Sequence, residues 1–408
     1  MITEHSVVIQ GELPQGAVHK KMEVFYNPVM ASHRNIAVLL LNCIPNQEMD
    51  IADPLAGSGI RAIRFLKELK KGKIKRLFVN DKKENFVKVF QKNMKLNKIG
   101  AQDIKQKVVV QNRDAELFLL DSVSSSSPSV SSLSDSLLSP TSPSSWSSSP
   151  VSPSLSPSLS PSSSSLLLSD FSGYFDYIDI DPFGTPNPFL STAVNRIKRD
   201  GILAVTATDT AALTGTYPKV TMRKYWARNV RSYLMHEVGL RILIRKVQLQ
   251  GIQFDKALIP ILAYHKDHYF RVYFRSEKGK EKCDVILHQH QFFLLNPKTL
   301  EFKTSVYNFE QGWEWMGPLW IGKLFDAALV KKMASENPFP EEKKFLDTLK
   351  EESKIDVVGF IDLHVLAKKQ GKESSTMDAA LQKMKGVRTH FSLQGVKVRS
   401  GQKRQKNH

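Results

Sequence analysis

The sequence predicts an α/β fold in which a doubly wound, mostly parallel sheet has an antiparallel edge hairpin, followed by a smaller α+β domain. Three observations support this prediction. Short apolar runs alternate with segments of helical length between residues 49 and 206, as parallel βαβ units require. A glycine-rich turn follows the first of these runs. Two further strand-like runs, 257–264 and 269–275, are separated by only four residues and predict a hairpin.

Each predicted strand holds three or more apolar residues within five or six positions, and each predicted helix is longer and amphipathic. We predict strands at Met49–Asp53, Arg76–Asp81, Lys107–Gln111, Phe175–Ile180 and Gly201–Thr206. We predict helices at Gly59–Lys70, Glu84–Leu96, Phe189–Lys198 and Tyr225–Arg245, and later at Asp326–Met333 and Glu341–Glu351. These elements suggest a first domain over residues 1–276, a second over 277–396 and a basic tail over 397–408.

Composition narrows the class of protein. The 408 residues include 58 Lys and Arg against 40 Asp and Glu, a formal charge of +18, which predicts an anionic polymer as partner. Cys43 and Cys283 fit neither a zinc site nor a disulfide scaffold. No run approaches the roughly 20 apolar residues of a membrane helix. We therefore expect a metal-free, cytoplasmic protein, with a nuclear or organellar location still open, and a monomer.

The segment 122–169 differs abruptly from the rest, because more than half of its residues are Ser and its single charged residue is Asp135. Such a tract offers too little apolar surface to offset the entropy of ordering it. The α/β alternation resumes after it. We predict that it is a disordered insertion within the first domain.

The first predicted strand leads into the turn Asp53-Pro-Leu-Ala-Gly57-Ser-Gly59-Ile-Arg61-Ala, a G-x-G-x-x-A pattern that fits a dinucleotide or S-adenosylmethionine. The carboxylate of Asp53 would repel the phosphates of a dinucleotide but stabilise a cationic amino group or sulfonium. The sequence therefore favours S-adenosylmethionine, with Asp53, Gly57, Gly59 and Arg61 as candidate cofactor-binding residues.

Two further acids follow the next strands. Asp81, at the carboxyl end of the second strand, is positioned to accept hydrogen bonds from both ribose hydroxyls, and Asp114, after the third strand, to read the adenine amino group. Either one alone is equally well explained as a solvated or helix-capping loop carboxylate. Their occurrence at consecutive strand ends favours cofactor binding.

The fourth strand ends in Asp181-Pro182-Phe183-Gly184, which resembles the Asp/Asn-Pro-Pro-aromatic motif of amino-group methyltransferases. A purine amino group is a poor nucleophile, because its lone pair is delocalised into the ring. The Asp181 carboxylate and the Pro182 carbonyl would accept its N–H groups and orient the lone pair, while Phe183 stacks on the base. The alternative is an ordinary Pro-Gly strand exit.

Several longer motifs in one order closely resemble the tRNA (guanine-26, N2)-dimethyltransferases, a family of class I S-adenosylmethionine-dependent methyltransferases with a Rossmann-like sheet. They are Phe25–Met30 with Arg34, Asp181–Pro186, Thr206–Thr210, His236–Arg241, Lys266–Tyr269 and Gly317–Gly322.

The resemblance implies methylation, once or twice, of guanine N2 in tRNA. It implies Asp181 as catalytic carboxylate, Phe25 and Phe183 as guanine-stacking rings, and Arg34 near the cofactor. Some relatives carry a cysteine cluster in the second domain that this chain lacks. Methylation of another tRNA guanine or of DNA amino groups, and noncatalytic RNA binding, stay as alternatives.

Two segments are predicted to contact RNA. The run from Tyr217 to Trp226 combines basic and aromatic residues and follows the fifth strand, which places it at the mouth of the site. From Arg388 onward the chain is basic with no acid. Lysine runs are more often solvated faces, but the total charge of +18 favours phosphate contact by this tail.

Overall fold

The computed structural model of the chain describes residues 1–11, 26–100, 107–121 and 170–399. Three of the predictions above fall outside the described residues: the stacking role of Phe25, the disorder of segment 122–169, and RNA contact by residues 400–408.

An N-terminal hairpin precedes the main sheet. Its strands are β1 (Ile2–Glu4) and β2 (Val7–Ile9), and the main sheet comprises β3 (Met49–Asp53), β4 (Ile74–Asn80), β5 (Val108–Gln111), β6 (Phe175–Ile180), β7 (Ile197–Ala207), β8 (Lys256–Lys266) and β9 (Tyr269–Lys278). Within the described residues, the order of these seven strands is β5-β4-β3-β6-β7-β9-β8.

The strands β5, β4, β3, β6 and β7 pair in parallel, whereas β9 pairs antiparallel with both β7 and β8. The predicted doubly wound sheet with an antiparallel edge hairpin is confirmed. The strand order reverses between β3 and β6, where Ile51 lies opposite Tyr177. Ligands of open α/β sheets bind outside the carboxyl ends of the strands at such a reversal.

Helices cover both faces of this sheet and continue into the C-terminal part. They are α1 (Ala31–Cys43), α2 (Ile60–Glu68), α3 (Phe86–Leu96), α4 (Ala115–Asp121), α5 (Asn187–Arg196), α6 (Thr210–Leu213), α7 (Pro218–Tyr225), α8 (Met235–Ile252), α9 (Lys280–His288), α10 (Ala327–Ser335), α11 (Lys343–Glu352), α12 (Leu363–Gln370) and α13 (Met377–Met384).

One predicted helix is wrong at its start. A single helix was expected over Tyr225–Arg245, but α7 ends at Tyr225 and α8 begins at Met235. Trp226 ends α7 in the left-handed conformation, with φ 54°, and its N–H donates to the carbonyl of Met222. A tryptophan gives no glycine-type stop signal, so the sequence pattern did not reveal this end.

Two small antiparallel sheets follow β9. One contains β10 (His290–Leu295), β11 (Phe302–Ser305) and β12 (Glu314–Trp320), and the other β13 (Ile361–Asp362), β14 (Val387–Arg388) and β15 (Gly395–Lys397). The buried side chains of the first small sheet continue the core of the main sheet, for example at Met316 and Leu319. Val396 of the second small sheet packs in a separate small cluster with Leu363 and Ala380. The α+β character predicted for this part is confirmed, while the boundary at residue 276 stays a prediction.

The start of the predicted basic tail is folded rather than free. Lys397 is buried in β15, where its ammonium donates to Glu237 Oε1 at 3.0 Å and to the Val357 carbonyl at 2.6 Å. The Lys397 ammonium is therefore engaged within the fold, and phosphate contact by the tail stays a prediction. None of the helices in the described ranges is both long and apolar enough to cross a membrane.

Candidate active site

The glycine-rich turn joins β3 to α2 at the carboxyl edge of the sheet. Gly57 and Gly59 have φ values of 59° and 76°, a region that suits glycine. A Cβ atom on Gly59 would overlap the ring of Phe90, so glycine also lets α3 approach the turn closely. The Gly57 N–H donates to Asp81 Oδ2 at 2.8 Å, which ties the turn to the end of β4.

Asp53, at the end of β3, is buried, and its Oδ2 has no hydrogen-bond partner among the described residues. The same holds for Ser58 Oγ in the turn. Burial raises the pKa of Asp53 to about 7; nearby carboxylates add to the rise, and Arg61 opposes it. A buried carboxylate oxygen without a partner fits a cationic ligand group. The residues of the turn thus suit the sulfonium or amino group of S-adenosylmethionine.

The two later acids differ in their surroundings. Asp81 accepts the Gly57 N–H on one oxygen and the Lys83 N–H, at 3.0 Å, on the other. Each oxygen keeps a second lone pair for a ribose hydroxyl. Asp114 is exposed and caps the start of α4 by accepting the Glu116 N–H at 2.9 Å. Both acids lie at the predicted strand ends, and their contacts with a cofactor stay predictions.

The turn after β6 carries Asp181, Pro182, Phe183 and Gly184. It is fixed by the segment after β7: the Gly184 N–H donates to Thr208 Oγ1 at 2.7 Å, and the N–H groups of Thr208 and Asp209 donate to the Gly184 carbonyl at 2.9 and 3.2 Å. Pro182 is buried, and the ring of Phe183 is 39% exposed.

Arg61 on α2 orients the Asp181 carboxylate. One guanidinium nitrogen, Nη2, contacts Asp181 Oδ2 and lies 3.2 Å from His33 Nδ1, while Nη1 donates to Asp179 Oδ2 at 2.8 Å. Sequence reasoning predicted Arg61 as a cofactor-binding residue. In the structure, its guanidinium holds the two carboxylates at the end of β6.

A second guanidinium completes this network. Arg271 on β9 donates to both oxygens of Asp179, at 2.9 and 2.7 Å, and the Tyr177 hydroxyl donates to Oδ2 at 2.6 Å. Burial alone would raise the pKa of Asp179, but the charges of Arg271 and Arg61 hold it below its usual value. Asp179 is therefore ionised, and its negative charge fixes both guanidiniums.

His33 on α1 supports Arg61 as a neutral ring. Burial, followed by the charges of Arg271 and Arg61, lowers the pKa of His33 well below its usual value. Its Nδ1 therefore accepts from Arg61, and its Nε2 donates to Thr206 Oγ1 at 2.9 Å. The imidazole restricts the position of the guanidinium that holds Asp181.

The resulting arrangement supports a defined chemistry. The side chain of Asp181 is 17% exposed, whereas those of Asp179 and Arg61 are buried behind it. A carboxylate fixed in this way can accept an N–H from a molecule arriving from solvent, beside the buried Asp53, which suits a cation. Among the described residues, no group of three or more His, Cys, Asp or Glu side chains could hold a metal ion.

Sequence reasoning missed His33, Asp179 and Arg271. One signal was available, because Asp181 directly follows β6 and lies two positions after Asp179, a spacing that puts two residues of an extended chain on the same face. A carboxylate inside an apolar strand needs a buried partner, and Arg271 lies inside another apolar strand. Nothing in the local sequence around His33 indicated its contacts.

Arg34, which the family resemblance places near the cofactor, is also buried. Its Nε donates to Glu4 Oε1 at 2.8 Å, and its Nη2 donates to Glu4 Oε2 at 2.5 Å and to the Asn27 carbonyl at 3.1 Å. These contacts anchor the N-terminal hairpin. A direct contact between Arg34 and the cofactor stays a prediction.

Comparisons with known proteins agree with this geometry. A family model described as "N2,N2-dimethylguanosine tRNA methyltransferase" matches residues 3–127 and 158–404. A relative from Aquifex aeolicus, "tRNA (guanine(26)-N(2)/guanine(27)-N(2))-dimethyltransferase", is 35% identical over 96% of this chain and 90% of its own. The "tRNA (guanine(26)-N(2))-dimethyltransferase" of Pyrococcus abyssi is 32% identical over 92% of this chain and 89% of its own.

A solved structure has the same architecture. Trm1 from Pyrococcus horikoshii, in complex with S-adenosyl-L-methionine, superposes with a TM-score of 0.75 at 29% identity, over 97% of this chain and 95% of that chain. The match extends through both the main sheet and the C-terminal sheets. The chain therefore belongs to the N2,N2-dimethylguanosine tRNA methyltransferase family.

Proposed function

We propose that this chain transfers one or two methyl groups from S-adenosylmethionine to the exocyclic N2 of guanine 26 in tRNA. The carboxylate of Asp181 carries the proposal, because Arg61 fixes it at the strand reversal. It lies at the end of β6, and the partnerless oxygen of Asp53 lies at the end of the neighbouring β3. The names of the relatives supply the substrate.

The cofactor would lie over the glycine-rich turn. Asp53 would stabilise its positive charge, Gly57 and Gly59 would allow close backbone approach, and Asp81 and Asp114 would bind the ribose and adenine. When bound, S-adenosylmethionine supplies a methyl group on an electron-poor sulfonium.

The guanine would be held by the turn after β6. Asp181 and the Pro182 carbonyl accept the two N–H groups of the exocyclic amine, which aims its lone pair and offsets the positive charge that develops on nitrogen. The proton lost from nitrogen passes to the Asp181 carboxylate and from there to solvent. Phe183 and Phe25 are the proposed stacking rings, and Arg61 keeps the carboxylate in position.

The two alternative functions, noncatalytic RNA binding and DNA methylation, have less support. A noncatalytic RNA-binding protein would not need a partnerless buried carboxylate beside an oriented one. A DNA amino methyltransferase does not fit the tRNA-modifying relatives. The name of the Aquifex relative includes guanines 26 and 27. Methylation of the adjacent guanine 27 is therefore the second activity to test in this chain. A cytoplasmic, monomeric enzyme remains our expectation.

The test is mass spectrometry of nucleosides from an unmodified tRNA transcript incubated with the full chain and isotope-labelled S-adenosylmethionine. We expect labelled N2-methylguanosine and N2,N2-dimethylguanosine. A transcript with adenine in place of guanine 26 is the matched control: signal that persists there assigns methylation to another guanine. Absence of label in both transcripts would contradict the proposal.

A further inference from the structure

Trp226 combines exposure with an unfavourable backbone conformation. Its side chain is 48% exposed, and its backbone is left-handed at φ 54°, ψ 39°. A bulky residue pays a steric penalty in this region, which glycine avoids. A large apolar ring held in solvent on a strained backbone is a feature typical of binding surfaces.

A buried lysine holds the indole in place. The ammonium of Lys246 on α8 lies 3.0 Å from the centre of the Trp226 ring, and Arg245 donates to the Trp226 carbonyl at 3.4 Å. Because the ammonium occupies one face of the ring, the exposed area belongs to the opposite face and the edges. The ring is thus preorganised for stacking on that opposite face.

The surroundings of the ring are strongly basic. Residues 210–254 contain eight Lys and Arg and a single acid, Glu237, which is buried and paired with Arg241 and Lys397. The exposed cations of this segment are Lys219, Arg223, Lys224 and Arg231, of which Lys224 pairs with Asp209, just before the segment, at 2.8 Å. The guanidinium of Arg228, two residues after Trp226, lies 4.6 Å from the centre of the Trp315 ring in the small sheet. This surface suits a polyanion with flat bases.

The ring is also tied to the catalytic turn. The hydroxyl of Tyr225, the residue before Trp226, donates to Thr185 Oγ1 at 3.2 Å, and Asn187 donates to the Lys224 carbonyl at 2.8 Å. Thr185 lies four residues after Asp181. A base on Trp226 would therefore be close in the RNA to the guanine held at Asp181.

We propose that Trp226 is a stacking platform for an unpaired base of tRNA, close to the methylated guanine, with the surrounding cations binding the adjoining phosphates. This inference rests on the proposed function, because it takes tRNA as the substrate. Aromatic rings beside Arg and Lys are the usual means of holding unstacked bases in RNA.

The decisive variant is Trp226→Gly, because glycine adopts φ 54° without strain and so removes the ring while sparing the backbone. Base stacking on one aromatic ring implies a roughly 5- to 150-fold rise in the Kd and KM for tRNA. The kcat at saturating tRNA, the Kd for S-adenosylmethionine and the melting temperature should change little. Trp226→Phe should restore most of the tRNA affinity.

Tyr174 provides the matched control. Its ring is 41% exposed and also lies near two cations, Arg196 and Lys256, at 6.0 and 5.7 Å, but it precedes β6 at the opposite edge of the sheet. Tyr174→Ala should leave tRNA affinity unchanged. An unchanged tRNA Kd in Trp226→Gly, or an equal loss of tRNA affinity in Trp226→Gly and Tyr174→Ala, would contradict the proposed stacking role of Trp226. Wild-type protein that binds tRNA through Trp226 without methylating it would instead overturn the proposed function.

Discussion

Two buried clusters of charge lie side by side on α1 and α2, and their contrast separates structure from function. In the first, which we call the Glu4 cluster, Arg34 and Arg64 hold Glu4. In the second, the Asp181 cluster, His33 of α1 and Arg61 of α2 face Asp179 and Asp181. The same two helices therefore supply both clusters.

The hydrogen bonds of Glu4 differ from those of Asp53, the buried carboxylate beside the Asp181 cluster. Each oxygen of Glu4 accepts two hydrogen bonds, from Arg34 and Arg64 on one and from Arg34 and the Tyr26 hydroxyl on the other. Beside the Asp181 cluster, Asp53 Oδ2 accepts none from the described residues.

The pKa shifts of Glu4 and Asp53 point in opposite directions. Burial would raise the pKa of Glu4, but Arg34 and Arg64 lower it to about 2. Burial raises the pKa of Asp53 to about 7. Burial of a carboxylate alone therefore does not mark a functional site; Asp53 differs from Glu4 in combining an oxygen without a partner among the described residues with a raised pKa and a place beside the glycine-rich turn.

The largest effect is expected where the Asp181 cluster meets substrate. Asp181→Ala should lower the methylation rate by roughly 10²- to 10⁴-fold, since a positioned acid/base group is lost. The affinity for S-adenosylmethionine, measured by calorimetry, should be nearly unchanged. Asp176→Ala, on the same strand at the opposite edge of the sheet, is the control and should retain turnover. Near wild-type turnover in Asp181→Ala would refute the catalytic assignment.

The Glu4 cluster should respond in stability instead. Glu4→Gln leaves the buried Arg34 guanidinium without its counter-charge and leaves Arg64 with Glu68 alone, which costs about 3 kcal/mol of unfolding free energy in urea titrations. The folded fraction should keep its kcat. Because the folded-state pKa of Glu4 is below its ordinary 4.5, this stabilisation is present above pH 4.5 and is lost as the pH falls toward 2. A variant as stable as wild type at pH 7 would show that the cluster contributes nothing.

Asp53→Asn should weaken cofactor binding without lowering stability, the reverse of the effect expected for Glu4→Gln. Loss of the buried charge opposite a cationic ligand should weaken S-adenosylmethionine binding by roughly 30-fold or more. The unfolding free energy at pH 8 should stay equal or increase, because the variant no longer buries an ionised carboxylate without a partner. A large loss of stability with intact affinity would assign Asp53 to the structural group with Glu4.

Cofactor binding should also depend on pH. The carboxyl of Asp53, with its pKa near 7, must lose its proton to pair with a cation. Affinity for S-adenosylmethionine should therefore fall about tenfold between pH 8 and pH 6, and binding at pH 7 should release protons. Calorimetry in buffers of different ionisation enthalpy measures both quantities. Asp53→Asn should flatten the profile, and a flat wild-type profile would contradict this account.

The smallest effect is expected from the Ser-rich segment. Residue 121 ends α4, and Asp170, beyond the segment, pairs with Lys75 and Arg76 near the start of β4. Both ends thus lie away from the carboxyl edge that carries the site. Replacing 122–169 by a short Gly-Ser linker should keep melting temperature, cofactor affinity and methylation, since loop closure changes by only ~0.6 kcal/mol per doubling of length. Loss of methylation activity in a variant that still folds would show that the segment has a function in catalysis or tRNA binding.

The sequence predicted much of this architecture because the periodic signals were strong. The strand Met49–Asp53 has the predicted bounds, and Asp81 lies one residue after β4. Local patterns do not record long-range partners, however. The contacts of Arg61 with Asp179 and Asp181 could not be predicted, because these carboxylates lie more than 100 residues away in sequence. The contact of Lys397 with Glu237 is equally remote in sequence.

The break between α7 and α8 was missed for a related reason. Trp226 has a conformation that its residue type disfavours, and tertiary contacts from Lys246 and Arg245 stabilise it there. Conflict between residue type and conformation is concentrated at functional positions. Trp226, where the sequence pattern did not predict the end of α7, is therefore also the residue for which we propose a new role.

The pairing of β3 with β6 has a consequence for the continuity of the chain. Asp53, Asp81 and the glycine-rich turn precede the Ser-rich segment, whereas Asp181 and its turn follow it. The two halves meet through this strand pairing and through the ion pair of Arg61 with Asp181. The candidate active site is thus assembled by noncovalent contacts between the part of the chain that ends at residue 121 and the part that begins at residue 170. We expect these two parts to form the site even when the peptide linkage between them is changed.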